Sequence, residues 1–165
     1  MKIIFLDIDG VLALDKEFFT NREKFCKKYP EANELRLPYP WNKGAVKIFN
    51  DILEKTNAEI VLSSDWRQYW NLVELDRIFK FNGVIKSPIS ITDIPKHKSN
   101  FYLVDDRIEQ IKKYIVEHDV KEYVVIDDLN MEHGFGDRFF LTHSSDGIKR
   151  TNLNNKIIKR LNNIV

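Results

Sequence analysis

The stretch IIFLDIDGVL, Ile3 to Leu12, decides the reading of this chain. Four apolar residues rich in β-branched and aromatic side chains, Ile3 to Leu6, read as a buried strand. The run ends on Asp7 and Asp9. Residues two apart on an extended chain face the same side, so both carboxylates are expected at one place on the sheet edge. Two adjacent anions repel, and unless one is protonated they need a cation. The pattern therefore implies a bound metal, and Gly10 allows the chain to turn sharply away from it. A calcium loop of the EF-hand type is excluded by its spacing: that loop has its glycine at the sixth position and acids at the first, third and fifth, whereas here the glycine is fourth and Val11 is fifth.

Further short apolar runs occur at Glu59 to Leu62, Tyr123 to Ile126 and Arg138 to Leu141, and the first run extends to Ile8. Helical spacing lies between and after them: Val46, Phe49, Ile52 and Leu53; Trp66, Tyr69, Trp70 and Val73; Ile108, Ile111 and Ile115; Leu153, Ile157, Ile158 and Leu161. Strands apolar on both faces that alternate with amphipathic helices predict an α/β fold, a doubly wound, Rossmann-like parallel sheet with helices on both faces. No repeat, linker or low-complexity tract divides residues 1–165, so a single domain is expected. The segment Leu14 to Lys43 fits the alternation poorly. It mixes Phe18, Phe19, Phe25, Tyr29, Tyr39 and Trp41 with Arg22, Lys24, Lys27, Lys28 and Arg36, and reads as a small flap of one short helix and a loop inserted after the first strand. At about 30 residues it is too short for a large cap.

Composition narrows the class of function. A hydrophobic fraction of 43% with only 6 Gly and 5 Pro excludes disordered and collagen-like chains. The single Cys26 rules out an intramolecular disulfide and any zinc site built on paired cysteines, which points to a reducing compartment. A net charge of +1 provides no global field for nucleic acid or anionic membranes. No run is long enough for a signal peptide or a membrane span, so a cytoplasmic protein without membrane contact or an obligate protein partner is expected.

In doubly wound sheets ligands bind at the carboxyl ends of the strands. The second run ends in Ser63, Ser64, Asp65, Trp66 and Arg67, where a helix start with hydroxyls beside it would suit a phosphate. The third ends in Asp127 and Asp128. Arg107, 20 residues before Asp127, opens the intervening helix and could place a guanidinium at the same edge. Lys96 and Lys98, in the loop upstream, are its rivals. The four histidines lack metal-ligand spacing and read as surface residues.

Taken together these residues resemble the haloacid dehalogenase-like phosphatase superfamily. Its first motif is matched by Asp7-Ile8-Asp9-Gly10-Val11-Leu12, its second by Ser63 and its fourth by Asp127-Asp128. More narrowly, the segments LDIDGVL, IVLSSDWR, DDRIEQIKKYI, EYVVIDD and RFFLTHSSDGI look like the phosphatase domain of multifunctional RNA-repair proteins. The departure is the third motif, where most of the superfamily has lysine and this chain offers Arg107 or Lys98.

The resemblance implies a phosphomonoester hydrolase with Asp7 as nucleophile and Asp9 as general acid and base. It implies Mg²⁺ held by Asp7, the backbone carbonyl of Asp9 and Asp127, with Asp128 assisting. Ser63 and Arg107 would hold the phosphoryl oxygens, and Gly10, Ser64, Arg67 and Lys98 would contact the substrate. The phosphorylated substrate would be a nucleotide or a nucleic-acid end, which the aromatic and basic residues of the flap could meet. The competing readings are a phosphotransferase and a phosphate-binding module without turnover. A dehalogenase has no use for the second carboxylate.

Overall fold

The computed structural model describes residues 1–94 and 103–163. In chain order the described elements are β1 (Lys2–Leu6), then three short helices, α1 (Asp15–Phe18), α2 (Arg22–Lys28) and α3 (Pro30–Glu34), and then α4 (Lys43–Thr56) and β2 (Glu59–Leu62). They continue with α5 (Leu72–Phe81), β3 (Pro88–Ile91), α6 (Leu103–Glu117), β4 (Glu122–Asp127), α7 (Glu132–Phe135), β5 (Phe139–Leu141) and α8 (Leu153–Leu161). The five strands form one sheet in the order β3-β2-β1-β4-β5, with every pairing parallel.

Strand alternation divides the core into two layers. Ile4, Leu6, Ile60, Leu62, Val124 and Ile126 pack on one face with the apolar stripes of α4, α5 and α8. Ile3, Phe5, Val61 and Val125 pack on the other, against Ile108, Ile111 and Tyr114 of α6 and Phe135 of α7. The α/β class and the helices on both faces thus agree with the expectation. The chain runs from β1 outward to β2 and β3, then returns to β4 and β5 on the opposite side. The direction of winding reverses between β1 and β4, which is where such sheets open a crevice.

Three elements differ from the sequence reading. β3 was missed: it is a four-residue edge strand that begins on Pro88, and Ile89 and Ser90 leave its apolar pattern broken. The helix expected over Trp66 to Val73 is a three-ten turn at Asp65–Gln68, followed by α5. Asn71 starts α5, its side chain accepting from the N–H groups of Val73 and Glu74 while Glu74 reaches back to the Asn71 N–H. Such a capping box sets a helix start more firmly than the aromatic spacing upstream of it. The segment after β1 holds three short helices rather than one, and Phe25 and Trp41 are buried in the core. No helix among the described residues is long and apolar enough to cross a membrane.

Candidate active site

The alternation that sorts the core also builds the site. Beyond Phe5, the next residue of that face on β1 is Asp7; beyond Val61 on β2 it is Ser63; beyond Val125 on β4 it is Asp127. The ladder holds these ends together, the Asp7 N–H donating to the Ile126 carbonyl and the Ser63 N–H to that of Leu6, each at 3.0 Å. An apolar face therefore ends in a row of polar groups, and α6 lays its first turns across that row.

Arg107 supplies the countercharge. It is 4% exposed, and its Nη1 lies 2.8 Å from Asp127 Oδ2 and 3.3 Å from Asp7 Oδ2, while Nη2 lies 3.1 Å from Asp65 Oδ1. Burial works against its charge, but Asp7 and Asp127 outweigh burial and hold the guanidinium firmly protonated. Its Nε, like the hydroxyl of the buried Ser63, has no hydrogen-bond partner among the described residues. Two unpartnered donors at a charged site suit an oxyanion that would accept from them.

Asp7, Asp127 and Asp128 each offer a carboxylate oxygen, and these three oxygens lie within 4.8 Å of one another. Burial first, and Asp7 second, raise Asp127 well above the usual carboxylate range, with Arg107 opposing; the same two causes push Asp128 up to about 6. One arginine does not neutralise this group, and an all-oxygen set of that spacing fits a hard divalent cation such as Mg²⁺.

The loop after β1 shapes the pocket. The N–H groups of Val11, Leu12 and Ala13 all turn back to the Ile8 carbonyl, and Gly10 takes φ +73°. A Cβ at Gly10 would lie 2.2 Å from Asp128 Oδ2, so glycine gives the carboxylate its place as well as allowing the turn.

Asp9 stands apart from the three carboxylates. Tyr39 donates its hydroxyl to Asp9 Oδ1 at 2.8 Å, and the Trp66 indole donates to Oδ2 at 3.0 Å. Burial raises the Asp9 carboxyl above its usual value, while the bond from Tyr39 pulls the other way. Trp66 is itself fixed by stacking on Trp70, with ring centroids 4.7 Å apart.

Asp7, Asp9, Ser64, Asp65, Arg107 and Asp128 share a pocket of about 180 Å³. Ser64 also accepts from the Trp66 N–H at 3.4 Å, but the three-ten turn behind it is too short to present the helix terminus expected there. Arg67 faces elsewhere. Its fork donates to the carbonyls of Ser63, Ser64 and Asp93 and to the Gln110 side chain, so it ties the end of β2 to α6 instead of lining the pocket. Burial, then the nearby Arg107, lowers its guanidinium to about 10. Lys96 and Lys98 lie outside the described residues.

Sequence reading missed three contributors. Asp65 stands in the sequence only as one of the polar residues after the second run, and the clamp of Tyr39 and Trp66 on Asp9 leaves no local signal, because those residues lie 30 and 57 positions away.

The reversal of a parallel sheet around clustered carboxylates, a buried arginine and a free hydroxyl defines a domain of the haloacid dehalogenase type. A family model described as the HAD domain in Swiss Army Knife RNA repair proteins matches residues 3–153, and the chain belongs to that family. No curated protein and no solved structure matches the chain. Membership supports a hydrolase of the phosphatase type in general.

Proposed function

We propose that the chain is a Mg²⁺-dependent phosphomonoester hydrolase acting through a phosphorylated Asp7. The observation that carries this reading is Arg107 paired with both Asp7 and Asp127, with an Asp128 carboxylate oxygen within 4.8 Å of an oxygen of each. Asp7, Asp127 and Asp128, with the carbonyl of Asp9, would hold the cation. When bound it would neutralise phosphoryl charge and let an anionic nucleophile approach an anionic ester.

The protein's own groups would carry the rest. An Asp7 carboxylate oxygen attacks phosphorus in line; the bond from phosphorus to the leaving oxygen breaks as the bond to Asp7 forms. Asp9 gives its proton to the leaving oxygen, with Trp66 and Tyr39 fixing where that carboxyl points. Ser63 Oγ and Arg107 Nε donate to the phosphoryl oxygens. In the second half-reaction Asp9 takes a proton from water, whose oxygen attacks phosphorus and frees Asp7.

For substrate, the RNA-repair context of the family supports a phosphorylated nucleic-acid end or nucleotide. Tyr39, which holds Asp9, has its ring 4.9 Å from that of the exposed Phe18, and Phe19 and Tyr69 are further exposed side chains suited to stacking.

The test is initial-rate hydrolysis of an aryl phosphate, mononucleotides, and 3′- and 5′-phosphorylated oligonucleotides, with Mg²⁺ or EDTA, by the wild type and Asp7→Asn. Turnover that requires Mg²⁺, vanishes in Asp7→Asn and favours the oligonucleotides is expected. Undiminished turnover in EDTA or in Asp7→Asn overturns the mechanism. Phosphate binding without turnover of any substrate returns the protein to the class of binding modules.

A further inference from the structure

A second cavity, of about 760 Å³, shares no lining residue with the carboxylate pocket. It lies between the segment after β1, the start of α4 and the end of α5, and its volume is within the roughly 300–1,000 Å³ typical of small-molecule sites. Its walls have two characters.

One wall is aromatic. Phe25, Tyr29, Trp41 and Phe81 line it, with Phe25, Tyr29 and Phe81 in mutual contact at centroid distances of 5.7 to 6.2 Å. Within this wall Trp41 is 3% exposed, and its indole N–H has no acceptor among the described residues. Glu17, which also lines the cavity, has a buried Oε2 with no donor among the described residues. The aromatic side chains of this wall suit a nucleobase packed against them.

The other wall is cationic. Lys16, Lys43 and Lys149 converge on it. Among these lies the N-terminus of the 14-residue α4, where the Asn42 side chain and carbonyl take the N–H groups of Ala45 and Val46. The N–H groups of Lys43 and Gly44 then have no partner within the helix. Glu17 holds its other oxygen against Asn42 Nδ2 at 3.0 Å and lies 3.7 Å from Lys16, so the positive charge left for a ligand is that of Lys43, Lys149 and the helix end.

We propose that this cavity binds a nucleotide, its base on the aromatic wall and its phosphate at the start of α4. A ring system and an anion joined by a sugar are the chemistry that uses both walls together. This assignment does not depend on turnover at Asp7.

The probe is adenylyl-(3′→5′)-adenosine, which has a base and an anionic phosphodiester but no phosphomonoester for the carboxylate pocket. Calorimetric titration of the full chain should show binding that weakens on the order of tenfold or more in Lys43→Glu combined with Lys149→Glu, and stays at the parent value in Asp7→Asn. Lys43 is exposed and Lys149 half-buried, and circular dichroism of the variant checks that the folded state survives. As a second readout, the Trp41 indole and Gly44 amide resonances should shift during the titration. No binding, equal binding by the lysine variant, loss of binding in Asp7→Asn, or shifts confined to other residues overturns the proposal. Displacement by inorganic phosphate at an affinity equal to the dinucleotide's would leave an anion site only, and also overturns it.

Discussion

Replacing Arg107 with Met removes the guanidinium that contacts Asp7, Asp127 and Asp65, at 3.3, 2.8 and 3.1 Å. Asp7 and Asp127 are buried and would keep their places at the ends of β1 and β4, since the ladder and not the arginine positions them. Breaking a buried ion pair from one side costs about 3–5 kcal/mol, because a desolvated carboxylate is left without compensation. The loss depends on pH in a direction fixed by Asp127. Burial, and then Asp7, already raise this group, and Arg107 is among the influences holding it down. Without Arg107 it rises further. The folded variant then retains a proton that the unfolded chain releases near pH 4, so its stability falls as pH increases through and above that value. Burial and Asp7 already hold Asp127 at about 8 in the wild type, so urea unfolding of both proteins in EDTA should show a deficit that changes little between about pH 5 and about pH 7 and grows above about pH 8, where only the wild type releases the proton. A deficit that does not grow above about pH 8 would refute the hold of Arg107 on Asp127. Phosphatase activity should fall by about a hundredfold or more in the same variant.

Three further outcomes follow from the site. Gly10→Ala, whose Cβ would lie 2.2 Å from Asp128 Oδ2 in a positive-φ conformation, should lower thermal stability and weaken Mg²⁺ binding in calorimetric titration; unchanged affinity would show that Asp128 does not hold the cation. Tyr39→Phe removes the hydroxyl donated to Asp9 Oδ1 and should reduce kcat about tenfold with a smaller change in KM, more for alkyl than for aryl phosphates, in a steady-state leaving-group series. Uniform losses across the series would separate Tyr39 from proton transfer. Mg²⁺ should raise the melting temperature more at about pH 8 than at about pH 5, because Asp128, raised to about 6 by burial and then Asp7, exchanges its proton for the cation only once ionised; scanning calorimetry with and without Mg²⁺ reads this directly, and equal shifts at both pH values would contradict it.

Much of this arrangement is legible in the sequence because buried parallel strands announce themselves. Ile3 to Leu6, Ile60 to Leu62 and Tyr123 to Ile126 are continuous apolar runs, and the residue just beyond each apolar ladder is where a ligand site forms. Arg107 could be proposed from its spacing, but its burial could not, since neighbouring Asp105 and Asp106 make the local segment look solvated. β3 is illegible for a physical reason: an edge strand buries one face, starts on Pro88 and exposes Ile89. The spacing of Trp66, Tyr69 and Trp70 imitates a helix because these rings pack on one another and on Trp41, which the three-ten turn achieves without helical hydrogen bonding throughout. The Asn71 and Glu74 pair was the better signal. The hold of Tyr39 and Trp66 on Asp9 arises from tertiary packing alone.

The central claim is that Asp7 becomes phosphorylated, and chemical trapping tests it most directly. The enzyme is mixed with Mg²⁺ and excess substrate, quenched in acid during turnover and reduced with borohydride, which converts an aspartyl phosphate to homoserine; peptide mass spectrometry then locates the change. Homoserine at residue 7, absent when Mg²⁺ is omitted and absent in Asp7→Asn, is the predicted result. Substrate turnover with residue 7 left as unmodified aspartate, or with homoserine at another carboxylate, would contradict the account.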